Sequence, residues 1–130
     1  MLYRLLLVDD QPAVRALVAL ELERMGFKVT TTATGHEALQ LIDEIPLHIV
    51  VLDVILEQMD GLELLGLIKK RHPRLPVVIL TGAGYTPEVM SEALAKGADG
   101  YVSKGLSMSH LVMELHRILG NGKSKVNDET

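Results

Sequence analysis

Three acids follow buried-looking aliphatic runs in this chain. Asp9 and Asp10 close the run Leu5-Leu6-Leu7-Val8, and Asp53 closes Ile49-Val50-Val51-Leu52. Two further runs end on groups of complementary chemistry: Val77-Val78-Ile79-Leu80 leads to Thr81, and Tyr101-Val102-Ser103 leads to Lys104. Carboxylates about 5 Å apart repel by roughly 3 kcal/mol at an effective dielectric of 20. Acids gathered at one place therefore need a cation, a shared proton or water between them. Mg²⁺ meets that need, because it prefers oxygen ligands, takes one or two carboxylates, keeps waters and engages phosphate oxygens. A carboxylate is also a nucleophile that can form an aspartyl-phosphate. Phosphoryl transfer then requires charge stabilisation on the phosphoryl oxygens, for which the Lys104 ammonium and the Thr81 hydroxyl are suitable donors.

This chemistry requires distant segments to converge, and the pattern of elements supplies a way. Strands are expected over residues 3–8, 27–31, 48–52, 76–80 and 100–103. Helices alternate with them. The first follows Asp9 and Asp10 as capping candidates and Pro12 as a first-turn proline, and stops at Gly26. The second is capped by Thr34 and runs to about residue 43; the third runs over residues 62–71 after the Asp60-Gly61 turn. The fourth opens on Thr86-Pro87-Glu88 and runs to residue 96, and the fifth spans 107–119. Strands and helices in strict alternation, with short connections, predict a doubly wound α/β layer. In such a parallel sheet all strand exits lie on one edge, where ligands collect. Residues 1–120 are read as one domain, and 121–130 as a flexible tail or the start of a linker.

Composition narrows the classes. The 130 residues are 48% hydrophobic but only 3% aromatic, so the core must be aliphatic. A net charge of −4 argues against a general nucleic-acid binder, which needs clustered Lys and Arg. The absence of cysteine removes disulfides, thiolate catalysis and Cys-based zinc sites together. No apolar stretch approaches the roughly 20 residues that span a bilayer, and Met-Leu-Tyr-Arg leads straight into a strand; a cytoplasmic protein without membrane association is expected.

Plainer readings exist for each residue taken singly. An acid after a strand often caps the next helix, Thr81 before Gly82 suits a turn, and a lysine is usually solvated. Asp53 resists such a reading best, since the next helix starts about nine residues later. Thr30-Thr31-Thr32-Ala33-Thr34-Gly35 has the look of a flavin-phosphate loop but follows the second strand. Gly82-Ala83-Gly84 lacks the spacing of a dinucleotide fingerprint, and His36-Glu37 has no second His at zincin spacing.

Taken together, four segments closely resemble the receiver domain of two-component response regulators, of the chemotaxis-regulator type. They are Leu5-Leu6-Leu7-Val8-Asp9-Asp10, Ile49-Val50-Val51-Leu52-Asp53 with Met59-Asp60-Gly61, Val77-Val78-Ile79-Leu80-Thr81-Gly82, and Gly97-Ala98-Asp99-Gly100-Tyr101-Val102-Ser103-Lys104. The resemblance covers residues 3–119 and implies a flavodoxin-like five-stranded sheet of order 2-1-3-4-5 with five helices. It implies Asp53 as phosphoacceptor, Asp10 as direct Mg²⁺ ligand with Asp9 beside it, and the Ile55 backbone carbonyl as a further ligand. It also implies Lys104 as the phosphate-binding lysine, Thr81 as the switch hydroxyl and Tyr101 as its aromatic partner. The implied phosphodonor is a sensor histidine kinase or phosphotransfer protein. The implied output surface is formed by the fourth helix, fifth strand and fifth helix, which would meet a second copy or an effector domain.

Three positions depart from the family pattern. Gly105 stands where a proline, preceded by a cis bond, commonly follows the lysine; before a non-proline that bond costs about 3 kcal/mol. Glu57 replaces the usual proline four residues past the acceptor, and Gly82 and Ala83 carry little bulk after Thr81. Two alternatives remain beside the receiver reading: a phosphorylation-independent interaction module, and a phosphohydrolase using Asp53 as nucleophile. The second lacks the acid often found two residues after the nucleophile, where this chain has Ile55. Under the receiver reading the domain modifies only itself and turns over no external substrate.

Overall fold

The computed structural model describes residues 2–56, 59–82, 86–104 and 108–129, with side chains through residue 120. Five parallel strands, β1 (Arg4–Val8), β2 (Lys28–Thr32), β3 (Ile49–Asp53), β4 (Val77–Thr81) and β5 (Gly100–Ser103), form one sheet in the order β2-β1-β3-β4-β5. The three central strands are unbroken aliphatic runs because both their faces are covered. The edge strand β2 is threonine-rich and partly open, as befits a strand with one bare side.

Helices α1 (Pro12–Arg24), α2 (Gly35–Glu44), α3 (Gly61–Arg71), α4 (Pro87–Ala95) and α5 (Met108–Glu129) cover the two faces. Each start has a local cause. Pro12 and Pro87 occupy first-turn positions. Thr34, Asp60 and Thr86 accept the N–H groups of Glu37, Leu62 and Val89 at 3.2, 2.9 and 3.1 Å. Gly26 and Gly97 follow α1 and α4 with φ of +98° and +101°, a region that L side chains rarely adopt.

Alternation along the strands builds two cores. Leu6, Val8, Val50, Leu52 and Ile79 meet α2, α3 and α4, whereas Leu5, Leu7, Val51, Val78 and Val102 meet α1 and α5. No helix among the described residues is long and apolar enough to cross a membrane.

The departures from the expected elements have identifiable causes. Phe27 is not in a strand: its N–H closes α1 by bonding to the Leu22 carbonyl, and β2 begins one residue later. Neither Asp9 nor Asp10 caps α1. The N-cap is Gln11, which makes no side-chain cap bond, and Asp9 Oδ1 instead accepts the Gln11 N–H at 2.9 Å. Beyond residue 119 the backbone of α5 continues helical to Glu129, where the sequence pattern suggested a loose tail. No proline interrupts that stretch, and Gly120 and Gly122 each cost a helix only about 1 kcal/mol. The Thr30–Gly35 segment serves as the end of β2 and the cap of α2. Positions 57, 83, 84 and 105, and with the last the Lys104–Gly105 bond, lie outside the described residues.

Candidate functional site

Strand register delivers the acids to one edge. Val8 pairs with Leu52, so Asp9 and Asp53 leave adjacent central strands at the same level. Asp53 pairs with Leu80 and Thr81 with Ser103, which sets Lys104 one step past the end of β5. The Lys104 N–H donates to the Thr81 carbonyl at 2.6 Å and fixes the lysine backbone against β4.

Burial makes these groups costly unless paired. Asp9 is 1% exposed and Asp53 5%. Asp9 is held by its N–H to the Thr32 carbonyl at 3.1 Å, by the Gln11 N–H on Oδ1, and by Arg15 Nη1, which donates to its backbone carbonyl at 2.8 Å. Asp53 Oδ1 accepts the Ile55 N–H at 3.1 Å, and Asp53 Oδ2 accepts from Lys104 Nζ at 2.8 Å. The same ammonium lies 3.1 Å from Asp9 Oδ2, as a charge contact without hydrogen-bond alignment. Burial pulls the Lys104 pKa down, but the hydrogen bond and charge of Asp53, and then the nearby Asp9 carboxylate, outweigh it, and the net shift is upward.

Lys104 reaches across a considerable span. Strand β5 is three places from β1, about 14 Å at the usual strand spacing. The lysine stem crosses over Gly82, where an added Cβ would sit 3.3 Å from Lys104 Cδ. Asp10, Gln11, Asp53, Ile55, Gly82 and Lys104 line one open pocket.

Ligand oxygens of Asp9, Asp10 and Asp53 come within 4.8 Å of one another. An all-oxygen set of this size, with a buried Asp9 Oδ2 that lacks a hydrogen-bond partner, fits a hard divalent cation such as Mg²⁺. Ile55 lies on the wall of the same pocket.

Thr81 and Tyr101 are placed differently. Thr81 is buried at the exit of β4, and Tyr101 is half-buried on β5. The two-residue repeat sets both on the sheet face turned to α4, where Tyr101 packs against the cluster containing Ile79 and Ala93. Asp53 belongs to the opposite face, with Ile49 and Val51. Thr81 thus sits next to the pocket residue Gly82 but on the sheet face opposite Asp53, with Tyr101 on that same α4 side.

Two residues escaped the sequence reading as parts of the site. Arg15 is one of two arginines on α1, with no pattern to mark its bond to Asp9. Gly61 was legible as a turn residue but not as a steric requirement: a Cβ there would lie 2.3 Å from the Val54 carbonyl oxygen and 2.5 Å from that of Asp53. The Gly61 N–H bonds to that Val54 carbonyl at 2.8 Å, closing the loop after the acid.

A doubly wound sheet of order 2-1-3-4-5, with an acid cluster and a lysine at its strand exits, defines a protein of the flavodoxin-like receiver class. The comparisons agree. The response regulator receiver domain family matches residues 5–116. An NtrX-like response regulator of Rickettsia conorii is 40% identical over 114 residues, which are 86% of this chain and 24% of that protein. A CheY-like receiver domain protein of Methanospirillum hungatei superposes with a TM-score of 0.90 at 29% identity, covering 96% of this chain and 99% of its own. NtrX of Brucella abortus, solved with ADP, gives 0.90 at 34% identity over 99% of this chain and 30% of that one. This chain belongs to the response regulator receiver domain family and is a receiver domain of two-component signalling. It spans about a quarter of the NtrX-like relative.

Proposed function

We propose that Asp53 accepts a phosphoryl group from the phosphohistidine of a sensor kinase or phosphotransfer protein. A carboxylate oxygen of Asp53 attacks phosphorus, the P–N bond breaks, and the imidazole nitrogen keeps the electron pair and takes up a proton. Water later cleaves the acyl phosphate to inorganic phosphate and free Asp53. Asp9, Asp10, Asp53 and the Ile55 carbonyl would hold Mg²⁺, which when bound offsets charge on the acids and on the phosphoryl oxygens.

The chain's own groups have distinct tasks. Lys104 keeps the unmodified acids partly neutral and then follows the new charge, exchanging Asp53 Oδ2 for a phosphoryl oxygen. Thr81 turns its hydroxyl toward the new acceptor oxygens, and Tyr101 on the same face passes the change to the α4-β5-α5 surface. That surface binds a second copy or an effector domain. The limited share of the NtrX-like relative that this chain matches supports an effector elsewhere in a longer regulator. The domain modifies itself, turns over no external substrate, and works in the cytoplasm with its kinase.

The observation that carries this reading is the Lys104 ammonium set between Asp53 and Asp9 at 2.8 and 3.1 Å, beside a third acid in one open pocket. The test is intact mass after incubation with Mg²⁺ and acetyl phosphate. An adduct of one phosphoryl group, absent in Asp53→Ala, supports it. No adduct, or sustained phosphate release from a phosphomonoester, overturns it.

A further inference from the structure

Arg15 stands on α1 with its guanidinium directed at the main chain rather than at an acid. Nη1 donates to the Asp9 carbonyl at 2.8 Å, and among the described residues Arg15 makes no ion pair. It is half-buried and follows directly on the N-cap Gln11 and the first α1 residues Pro12, Ala13 and Val14, which line the pocket. A charged side chain on an exposed helix usually finds water or an opposite charge. Here its bond goes to the peptide that joins the two adjacent acids.

That peptide matters because it is rigid. The Asp9 carbonyl and the Asp10 N–H belong to one planar unit, so fixing the oxygen fixes the direction from which Asp10 departs. Asp9 is already tied by its N–H to Thr32 and by its carboxylate to Gln11 and Lys104. The Arg15 bond ties the following peptide, so that Asp10 is presented beside Asp9 and Asp53 within the 4.8 Å cluster. We propose that Arg15 is a positioning residue for the acid cluster, whose bond to the Asp9 carbonyl sets the affinity for Mg²⁺. The inference rests on the proposed metal-assisted function and names a determinant of that same site.

The sign of the effect separates positioning from charge. A cation near a metal site repels the metal, so if Arg15 acted only through its charge, removing it would tighten Mg²⁺ binding. If it positions the acids, removal loosens binding although a positive charge has gone. Only one donor atom is used, so lysine, which keeps one donor and the charge, should serve nearly as well.

The experiment is calorimetric titration of Mg²⁺ into the wild type, Arg15→Met and Arg15→Lys, with thermal melts of each in the presence and absence of Mg²⁺. Arg15→Met is expected to bind on the order of tenfold more weakly, as outer-shell losses at metal sites do. It should also gain less from Mg²⁺ in its melt than the wild type, and Arg15→Lys should restore most of both. Should the Met variant not fold, Arg15→Gln, which removes the charge but keeps a shorter polar chain, is expected to weaken binding likewise. Unchanged or tighter binding in a folded neutral variant overturns the proposal while leaving the proposed function standing. A wild type that takes up no Mg²⁺ overturns both.

Discussion

Lys104 Nζ and Asp53 Oδ2 are 2.8 Å apart although 51 residues separate them in the chain, and this pair closes the acid cluster at the strand exits. Burial disfavours the charged ammonium, but Asp53 and Asp9 together raise its pKa above the ordinary 10.5. A raised lysine pKa means that the folded state binds the proton more tightly than the unfolded one. The stabilisation is therefore complete below pH 10.5 and is lost as pH rises through the folded value. Urea midpoints measured across that range should fall more steeply for the wild type than for Lys104→Met. Parallel curves would show that the pair contributes no pH-dependent stability.

At neutral pH without divalent ions, Lys104→Met leaves two buried carboxylates facing each other. Breaking a buried pair costs about 3–5 kcal/mol; with Lys104 partly exposed, a loss of about 1–3 kcal/mol is expected. Mg²⁺ should restore part of that loss, since it would occupy the place of the missing charge. The rise in melting temperature on adding Mg²⁺ should accordingly be larger in Lys104→Met than in the wild type. An equal rise would mean that lysine and metal do not share these carboxylates.

Two glycines of α3 should respond in opposite directions to alanine. At Gly61 the new Cβ would lie 2.3 Å from the Val54 carbonyl oxygen, and only a backbone shift in the loop after Asp53 can relieve it. Gly61→Ala should destabilise by about 1–3 kcal/mol and slow phosphoryl uptake. At Gly66, inside the helix, a Cβ meets nothing within 4 Å. Gly66→Ala should stabilise by about 1 kcal/mol and leave uptake unchanged. Chemical denaturation of both variants decides the contrast, and a neutral Gly61→Ala would show that the loop yields easily.

What could be read from the sequence was whatever repeats or caps locally. The central strands announce themselves as aliphatic runs because burial on both faces admits nothing else, and Thr34 and Thr86 mark helix starts by chemistry that acts within one turn. The convergence of Asp9, Asp53 and Lys104 was legible because parallel topology forces strand exits together. The role of Phe27 was not, because helix closure through the Leu22 carbonyl competes with strand pairing for the same N–H. Nor was the reach of Lys104 to Asp9 across three strand positions, which depends on the empty space over Gly82. Arg15 stayed hidden for a similar reason: its partner is a main-chain carbonyl, and no residue type signals that.

The far ends of α2 and α3 carry a separate charge device, distant from the acid cluster. Asp43 accepts from Arg71 and lies 2.8 Å from His72 Nε2, joining α2 to the C-terminus of α3. The His72 hydrogen bond, with the charges of Arg71 and His72, holds the Asp43 pKa below the ordinary 3.8 despite opposition from desolvation. A lowered carboxylate pKa contributes stability above the unfolded value and loses it as pH falls through the folded one. The wild type should therefore be more stable than Asp43→Asn near neutrality and lose that margin as pH falls below 3.8, so its acid limb is the steeper. Because the cluster is exposed, 1 M salt, with a screening length of about 3 Å, should shrink the difference between them. Acid melts of both proteins at low and high salt provide the measurement, and superimposable acid limbs at low salt would mean that the cluster is decorative.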